Sequence, residues 1–468
     1  MPGQLLLIAM ILLQLLWLAA IWWTGAASTP KKLLILWVYT LGVGLSAGWP
    51  GADAPAAIGR FLGQLSSLNQ SLALLILTIL PLAGGAIYAY YQRLWPFDEE
   101  NNFKATQMVA EGSLAAFFNN YAQIPWLGMQ HPPLIPVVGG LLMRIFGKNL
   151  VVIRLMSVAM CAATVAITYL LGGLIYDQAT GWWAALLLLS FPLILRQGSA
   201  AMLDMPVTFF FSLALLMTAH LPQSTSPDQL AVAIGLVIGI GALAKYTMLL
   251  IYAVLLPLFM MSEVYHPFSP LLPVIVLIPP GMLAIWLLYS ARIGVLSKQI
   301  NQLIIYSGNK SGNPDIQITA EQRTLKFKLT KGWRMRLRLE TLFSRLPSAL
   351  GVYNLPLIVL GLSRRVITPP QDSELLIILW IGALFILLIL ALPDHRYFMP
   401  IFPAIALLMA HELQSMPALA NQVVVLALLY GGGALYLFVD WSRQNQLFIH
   451  TPYPISFKTK THPNESSF

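Results

Sequence analysis

The sequence predicts an all-α polytopic membrane protein with about thirteen transmembrane helices. Of its 468 residues, 58% are hydrophobic and 10% charged, where a soluble domain carries about 25% charged residues. The apolar runs reach about 20 residues, the length of a spanning helix, rather than alternating over about 10 as barrel strands do. Long polar intervals interrupt them at a few places only, so the chemistry must be sought there.

The runs fall at 4–24, 33–49, 70–90, 151–174, 181–195, 205–221, 229–244, 247–261, 271–290, 348–362, 373–392, 398–412 and 421–440. Several are short enough to require tilt or bilayer thinning. The first, within "MPGQLLLIAMILLQLLWLAAIWWTG", has neither a basic leader nor a small-residue cleavage site and reads as a retained span. The single Cys161 allows no disulfide within the chain. No period of 20–50 residues repeats.

Two polar intervals are long. Residues 91–150 begin with the acids of "LWPFDEENNF" and continue to "HPPLIPVVGGLLMRIFGKN". The apolar part, about 134–145, is too short to span and reads as an interfacial juxtamembrane helix. Residues 291–346 carry eleven Lys/Arg against three acids, nearly all of the chain's net charge of +9. A basic loop of this kind suits anionic headgroups or a phosphate-bearing substrate, and no nucleic-acid recognition module accompanies it. Alternate counting of spans puts both intervals on one side of the membrane, with the corners "RQGSAAMLDMP" (196–206) and "PDHRYF" (393–398). The positive-inside rule would place that loaded face in the cytoplasm. The rule weakens for long loops, so composition leaves orientation undecided.

The candidate chemistry lies on this face. Asp98, Glu99 and Glu100 follow a span directly. They suit a helix N-terminus, where acids favour the macrodipole, and equally a general base or orienting carboxylate. Three acids in three positions cannot all face one site. Asp204, in "AMLDMPVTFF", is either the N-cap of the following helix or a second functional acid. His131 precedes a rigid Pro-Pro pair, and no second histidine lies at metal-ligand spacing. Lys245 in "GALAKYT" is suited to a phosphate or to snorkelling towards the interface. Arg396 and Tyr397 stand at a helix start in "PDHRYFMPIF", where Arg is suited to bidentate phosphate binding or to headgroup anchoring. There is no P-loop, Rossmann glycine pattern or nucleophile elbow.

Taken in order, the acid pair after a span, "HPPL", "LDMPVTFF", "GALAKYT" and "HRYFMPIFPAIALLMA" resemble the GT-C glycosyltransferases. They look most like the branch containing protein O-mannosyltransferases and the aminoarabinose transferases of lipid A. The resemblance covers about residues 70–412, taken as the catalytic core. Residues 1–69 form an extra transmembrane hairpin and connector, and 413–468 a last span and short tail. It implies an inverting transferase in the cell (inner) membrane. Such an enzyme moves a sugar from a polyprenyl-phosphate donor to a hydroxyl or phosphate of a lipid, glycan or protein. The resemblance also places the active site on the outer, periplasmic face, against the charge count.

The family's loop acid matches Asp98 and Glu99, and its second acid matches Asp204. Lys245, Arg396 and Tyr397 are expected on the donor phosphate, and His131 at the acceptor or its loop. His131 stands where the lipid A branch has Lys, which puts a lipid A acceptor in doubt. No cofactor is indicated, and metal dependence stays open. A lipid-linked-sugar transporter or flippase, and a non-catalytic polyprenyl-phosphate binder, remain the competing readings.

Overall fold

The computed structural model describes residues 69–91, 94, 98–124, 131–297, 338–351, 354–367, 372–391 and 394–415. Among them every regular element is helical. The expected spans at 4–24, 33–49 and 421–440 lie outside the described residues, as does most of the basic loop.

The chain enters through the long apolar helix α1 (Gln70–Tyr91). The first polar interval then folds into α2 (Asp98–Glu111), α3 (Leu114–Asn119) and α4 (Leu134–Phe146). Ser113 caps α3 by accepting the Ala116 N–H at 3.0 Å. At 13 residues α4 extends about 20 Å, well short of a 30 Å hydrocarbon layer. It lies against α2 through two glycines. A Cβ on Gly139 would stand 3.0 Å from the Thr106 methyl, and one on Gly140 would fall 2.4 Å from Val109 Cβ. Arg144 donates to the Val109 and Gly112 carbonyls, satisfying the end of α2. We expect Gly140→Leu to force the two helices apart and destabilise the protein by about 1–3 kcal/mol, read as a lowered unfolding midpoint in detergent.

The helical core follows. Asn149 caps α5 (Leu150–Ile175) and Asp177 caps α6 (Gln178–Leu189), each accepting a backbone N–H three residues on. These two helices cross at Gly172 and Gly181, where a Cβ on Gly172 would lie 2.3 Å from the Gly181 Cα. The run 181–195, expected as one span, is instead broken: α6 and α7 (Pro192–Gly198) meet at a bend of 71°. The reason is local. Pro192 has no N–H to continue the ladder, and the Ser190 hydroxyl donates back to the Leu187 carbonyl at 2.6 Å. Asn354 Nδ2 donates to the same hydroxyl oxygen at 3.0 Å.

Two further long helices, α8 (Asp204–His220) and α9 (Pro227–Ala244), lead to a 3-10 turn (Tyr246–Ile251) and α10 (Tyr252–Met261). After α11 (Leu272–Arg292) and the segment outside the described residues, α12 (Leu346–Leu350) and α13 (Leu355–Ile367) flank Gly351, whose φ of 80° ends α12. The run 348–362 is therefore also divided. Last come α14 (Leu375–Ala391), the 3-10 turn His395–Ile401 and α15 (Phe402–Gln414). Five described helices are long and apolar enough to cross a membrane, or six if the bent pair α6–α7 is one span.

Contacts sort the helix ends into two sets. Tyr176, Arg364, Arg365, Glu374, His411 and Glu412 meet at one end, with Arg365 and Glu374 2.8 Å apart and Tyr176 stacked on His411. The other end gathers the start of α2, the 199–203 loop, the starts of α5 and α8, and the turn before α15. Sequence counting placed all four polar intervals on one side; these contacts join three of them, and most of the fourth, 291–346, lies outside the described residues.

Candidate functional site

The three acids that open α2 go three ways, as the turn of about 100° per residue requires. Glu100 faces outward and pairs with Lys104 one turn on, at 2.8 Å. Glu99 faces the protein interior and is fully buried. Arg154 of α5 grips it with two parallel bonds, Nε to Oε1 and Nη2 to Oε2, both 2.8 Å. Arg154 also donates to the Ala89 carbonyl of α1 at 2.9 Å, and Glu99 Oε1 accepts the Ala201 N–H at 2.8 Å. Asn102, one turn after Asp98, donates to the Ala201 carbonyl at 3.2 Å. Glu99 thus ties α1, α2, α5 and the loop before α8 into one unit.

That unit sets the position of Asp98, whose Oδ2 accepts a bond from Arg396 Nη1 at 2.5 Å. Arg396 is shared: its Nη2 lies 3.3 Å from Asp394 Oδ2, while its own backbone N–H donates to Asp394 Oδ1 at 3.1 Å. Asp394 is therefore both the cap of the 3-10 turn and the second carboxylate on Arg396. Burial alone would raise its pKa, but His395 and Arg396 beside it hold it well below the usual carboxylate range.

Asp204 is the first residue of α8, and its side chain makes no capping bond there. It pairs instead with Lys245, Nζ to Oδ1, at 2.7 Å. Lys245 ends α9 in extended backbone (φ −161°, ψ 133°), which swings it off the helix axis towards Asp204. Its ammonium also stands 4.4 Å from the centroid of the Tyr397 ring. Both charges are buried, so neither snorkelling nor simple capping describes them. Beside the pair lies a small apolar slot lined by Val207, Phe211, Leu250, Leu384, Leu388 and Pro400, with Asp204, Thr247 and Tyr397 as its polar members.

His131 completes the group. The Tyr121 hydroxyl donates to its carbonyl, which fixes the entry to the Pro-Pro pair. Burial pushes its imidazole down to about 3, Lys245 nearby pushes the same way, and Asp204 opposes them. The ring is neutral at physiological pH. Among the described residues no three His, Cys, Asp or Glu side chains converge as a metal-holding group.

Asp98, Asp204, Lys245, Arg396, Tyr397 and His131 are thus near neighbours. Sequence reasoning missed Asp394 and Arg154. Asp394 carried a signal, since an Asp two residues before the Arg of a helix start is a capping pattern. Arg154 carried none, because one Arg in an apolar run does not name its partner.

Residues 130–289 match the family described as dolichyl-phosphate-mannose-protein mannosyltransferase. No curated protein matches by sequence. Among solved structures, ArnT from Cupriavidus metallidurans bound to undecaprenyl phosphate superimposes with a TM-score of 0.56 at 16% identity, over 78% of this chain and 64% of that one. The apo state of the same protein gives 0.53 at 15% identity, with the same coverage. The archaeal oligosaccharyltransferase AglB from Archaeoglobus fulgidus, in complex with an inhibitory peptide and a dolichol-phosphate, gives 0.48 at 13% identity, over 83% and 60%. The chain spans less than two thirds of the length of these proteins.

Proposed function

We propose that this chain, whose fold is that of the GT-C superfamily, is a membrane glycosyltransferase. It transfers a hexosyl or pentosyl unit from a polyprenyl-phosphate donor to a hydroxyl or phosphate of a lipid, glycan or protein acceptor, at the outer face of the membrane and with inversion. One observation carries this reading. The Asp98–Arg396 and Asp204–Lys245 ion pairs are neighbours, and Asp204 also lines a small apolar slot. Carboxylate, cations and an adjoining apolar surface are three things such a reaction needs at one membrane interface. The ArnT structure of the same fold is bound to undecaprenyl phosphate, which is consistent with a lipid-phosphate donor for this chain.

The chemistry follows from the partners. The donor phosphate competes with Asp98 for Arg396, because a phosphate oxygen is as good a bidentate acceptor as a carboxylate. Arg396 then moves from Asp98 to the phosphate, and the Asp98 carboxylate is released for the acceptor. The acceptor O–H gives its proton to Asp98 as its oxygen attacks the anomeric carbon. The bond from that carbon to the phosphate oxygen breaks on the opposite face, and its electron pair stays with the phosphate. Arg396 and Lys245 stabilise the growing charge. Asp204 holds Lys245 in place, Tyr397 covers its ammonium, and the neutral His131 ring positions the acceptor. Glu99, both of whose oxygens are engaged, acts as the anchor of Asp98 rather than as a second base.

The test uses purified full-length protein in lipid with radiolabelled polyprenyl-phosphate sugars. Sugar transfer or slow hydrolysis of one donor is the expected result. Binding without turnover of any donor would favour the flippase or non-catalytic binder instead. Separately, Arg396→Ala should weaken binding of undecaprenyl phosphate at least tenfold, about the 1.5–3 kcal/mol of one charge-assisted contact. Unchanged affinity would remove Arg396 from the phosphate.

A further inference from the structure

We infer that Asp394 is a positioning residue for the transfer: it holds the Arg396 guanidinium by Nη2 while Nη1 passes from Asp98 to the donor phosphate. This role rests on the reading above, in which Arg396 meets that phosphate, and adds the group through which Arg396 is held. Among the described residues the guanidinium touches two carboxylates, each by a different arm. Nη1 meets Asp98 Oδ2 at 2.5 Å, and Nη2 meets Asp394 Oδ2 at 3.3 Å. Asp98 belongs to α2, 298 positions away, and has a second task in the reaction. Once Asp98 has taken the acceptor proton it is neutral, and its hold on Arg396 weakens as charge grows on the leaving phosphate. Asp204 also acts on Arg396, but its Oδ1 is bound to Lys245 at 2.7 Å. Asp394 is the anion that stays with Arg396 throughout.

The geometry of Asp394 suits a fixed point, because its two oxygens have separate tasks. Oδ1 accepts the backbone N–H of Arg396 at 3.1 Å and so closes the start of the 3-10 turn, with His395 Nδ1 also 3.1 Å away. Oδ2 meets the guanidinium. The turn itself is docked. Phe398, Met399 and Pro400 are buried, and Trp380 Nε1 of α14 donates to the Pro400 carbonyl at 2.7 Å. Asp394 and Arg396 therefore ride on one short anchored segment, and their contact does not depend on the position of α2. A guanidinium has five N–H donors. With one of them on Asp394, enough remain for two to grip a phosphate.

As a stabiliser of the fold the pair has little to offer. With the Asp394 and Arg396 side chains 32% and 25% exposed, an ion pair at 3.3 Å contributes little to folding. The structural service of Asp394 is the cap, which needs one oxygen and no charge. Asp394→Asn separates the two roles. Its Oδ1 still accepts the Arg396 N–H, while an NH2 group replaces Oδ2 and sets donor against donor. Simple electrostatics gives the opposite sign, since deleting an anion beside a phosphate site should tighten phosphate binding.

The experiment is binding of undecaprenyl phosphate to the full chain in nanodiscs, measured for the wild type, Asp394→Asn, Arg396→Ala and the double variant. Asp394→Asn should weaken binding about tenfold while the unfolding midpoint is kept. In the Arg396→Ala background the same substitution should cost nothing, because no guanidinium is left to hold. Asp394→Ser, which also keeps a capping oxygen, should repeat both results. Affinity unchanged or raised in these variants overturns the inference and leaves the transferase reading standing. So does an equal loss in both backgrounds, which would mean that Asp394 acts through the turn and not through Arg396. A fallen midpoint in both Asn and Ser variants makes the residue structural and overturns the inference as well. If Arg396→Ala binds as tightly as the wild type, Arg396 is not on the phosphate and Asp394 loses its role with it. If the wild type binds no lipid phosphate at all, the transferase reading falls too.

Discussion

Asp98→Asn is expected to lower sugar transfer by about 10²–10⁴-fold while donor binding is kept. The substitution is nearly isosteric, and the amide oxygen can still accept from Arg396, so the 2.5 Å contact has a neutral successor. What is lost is the site that receives the acceptor proton. A neutral Asn also competes less well than a carboxylate for Arg396, so the donor phosphate should bind as tightly as before or more tightly. The signature is therefore a fall in kcat with no rise in the donor Kd. Measuring both, with the reconstituted fraction as a check on insertion, separates the two effects. Transfer within about threefold of wild type would remove Asp98 as the base. A large loss of donor affinity would instead make it part of the donor site.

The membrane class and the grouping of polar loops were legible because they rest on composition and on counting spans, both long-range averages. The candidate site was legible for a different reason: acids and cations beside apolar runs are costly and stand out. Asp98, Asp204, Lys245 and Arg396 were found that way, and the structure sets them within two neighbouring ion pairs. Pairing itself was not legible. Nothing in the spacing says that Lys245 meets Asp204 across 41 positions, or Arg396 meets Asp98 across 298. The division of labour within Asp98-Glu99-Glu100 needed the helix phase, which places one acid on the site, one in the core and one in solvent.

The breaks in the runs 181–195 and 348–362 show the opposite limit. Mean hydropathy over a window does not register Pro192 or Gly351, although each ends a helix by removing an N–H or by requiring positive φ.

Arg154→Ala is the substitution with the largest expected effect on the fold, about 3–5 kcal/mol. The argument starts from burial: the Arg154 and Glu99 side chains are 3% and 0% exposed. Removing the guanidinium leaves the Glu99 carboxylate in the interior with one backbone donor, Ala201, from the contacts described. It also frees the Ala89 carbonyl of α1. Because Glu99 joins α2 to the loop before α8, the loss should reach Asp98 and Asp204 although Arg154 touches neither. Thermal unfolding in detergent should fall sharply, and sugar transfer should fall with it. Lys104→Ala provides the control, since the Lys104–Glu100 pair is the same length but 63% and 42% exposed and should shift the midpoint little. A double-mutant cycle with Glu99→Gln then isolates the pair. Gln keeps the shape and an acceptor for Ala201 while discarding the charge that Arg154 neutralises. Arg154→Ala should therefore cost less in the Glu99→Gln background than alone. Equal costs in both backgrounds would mean that the guanidinium stabilises the bundle through Ala89 and side-chain contacts, and that Asp98 is positioned by something other than this pair.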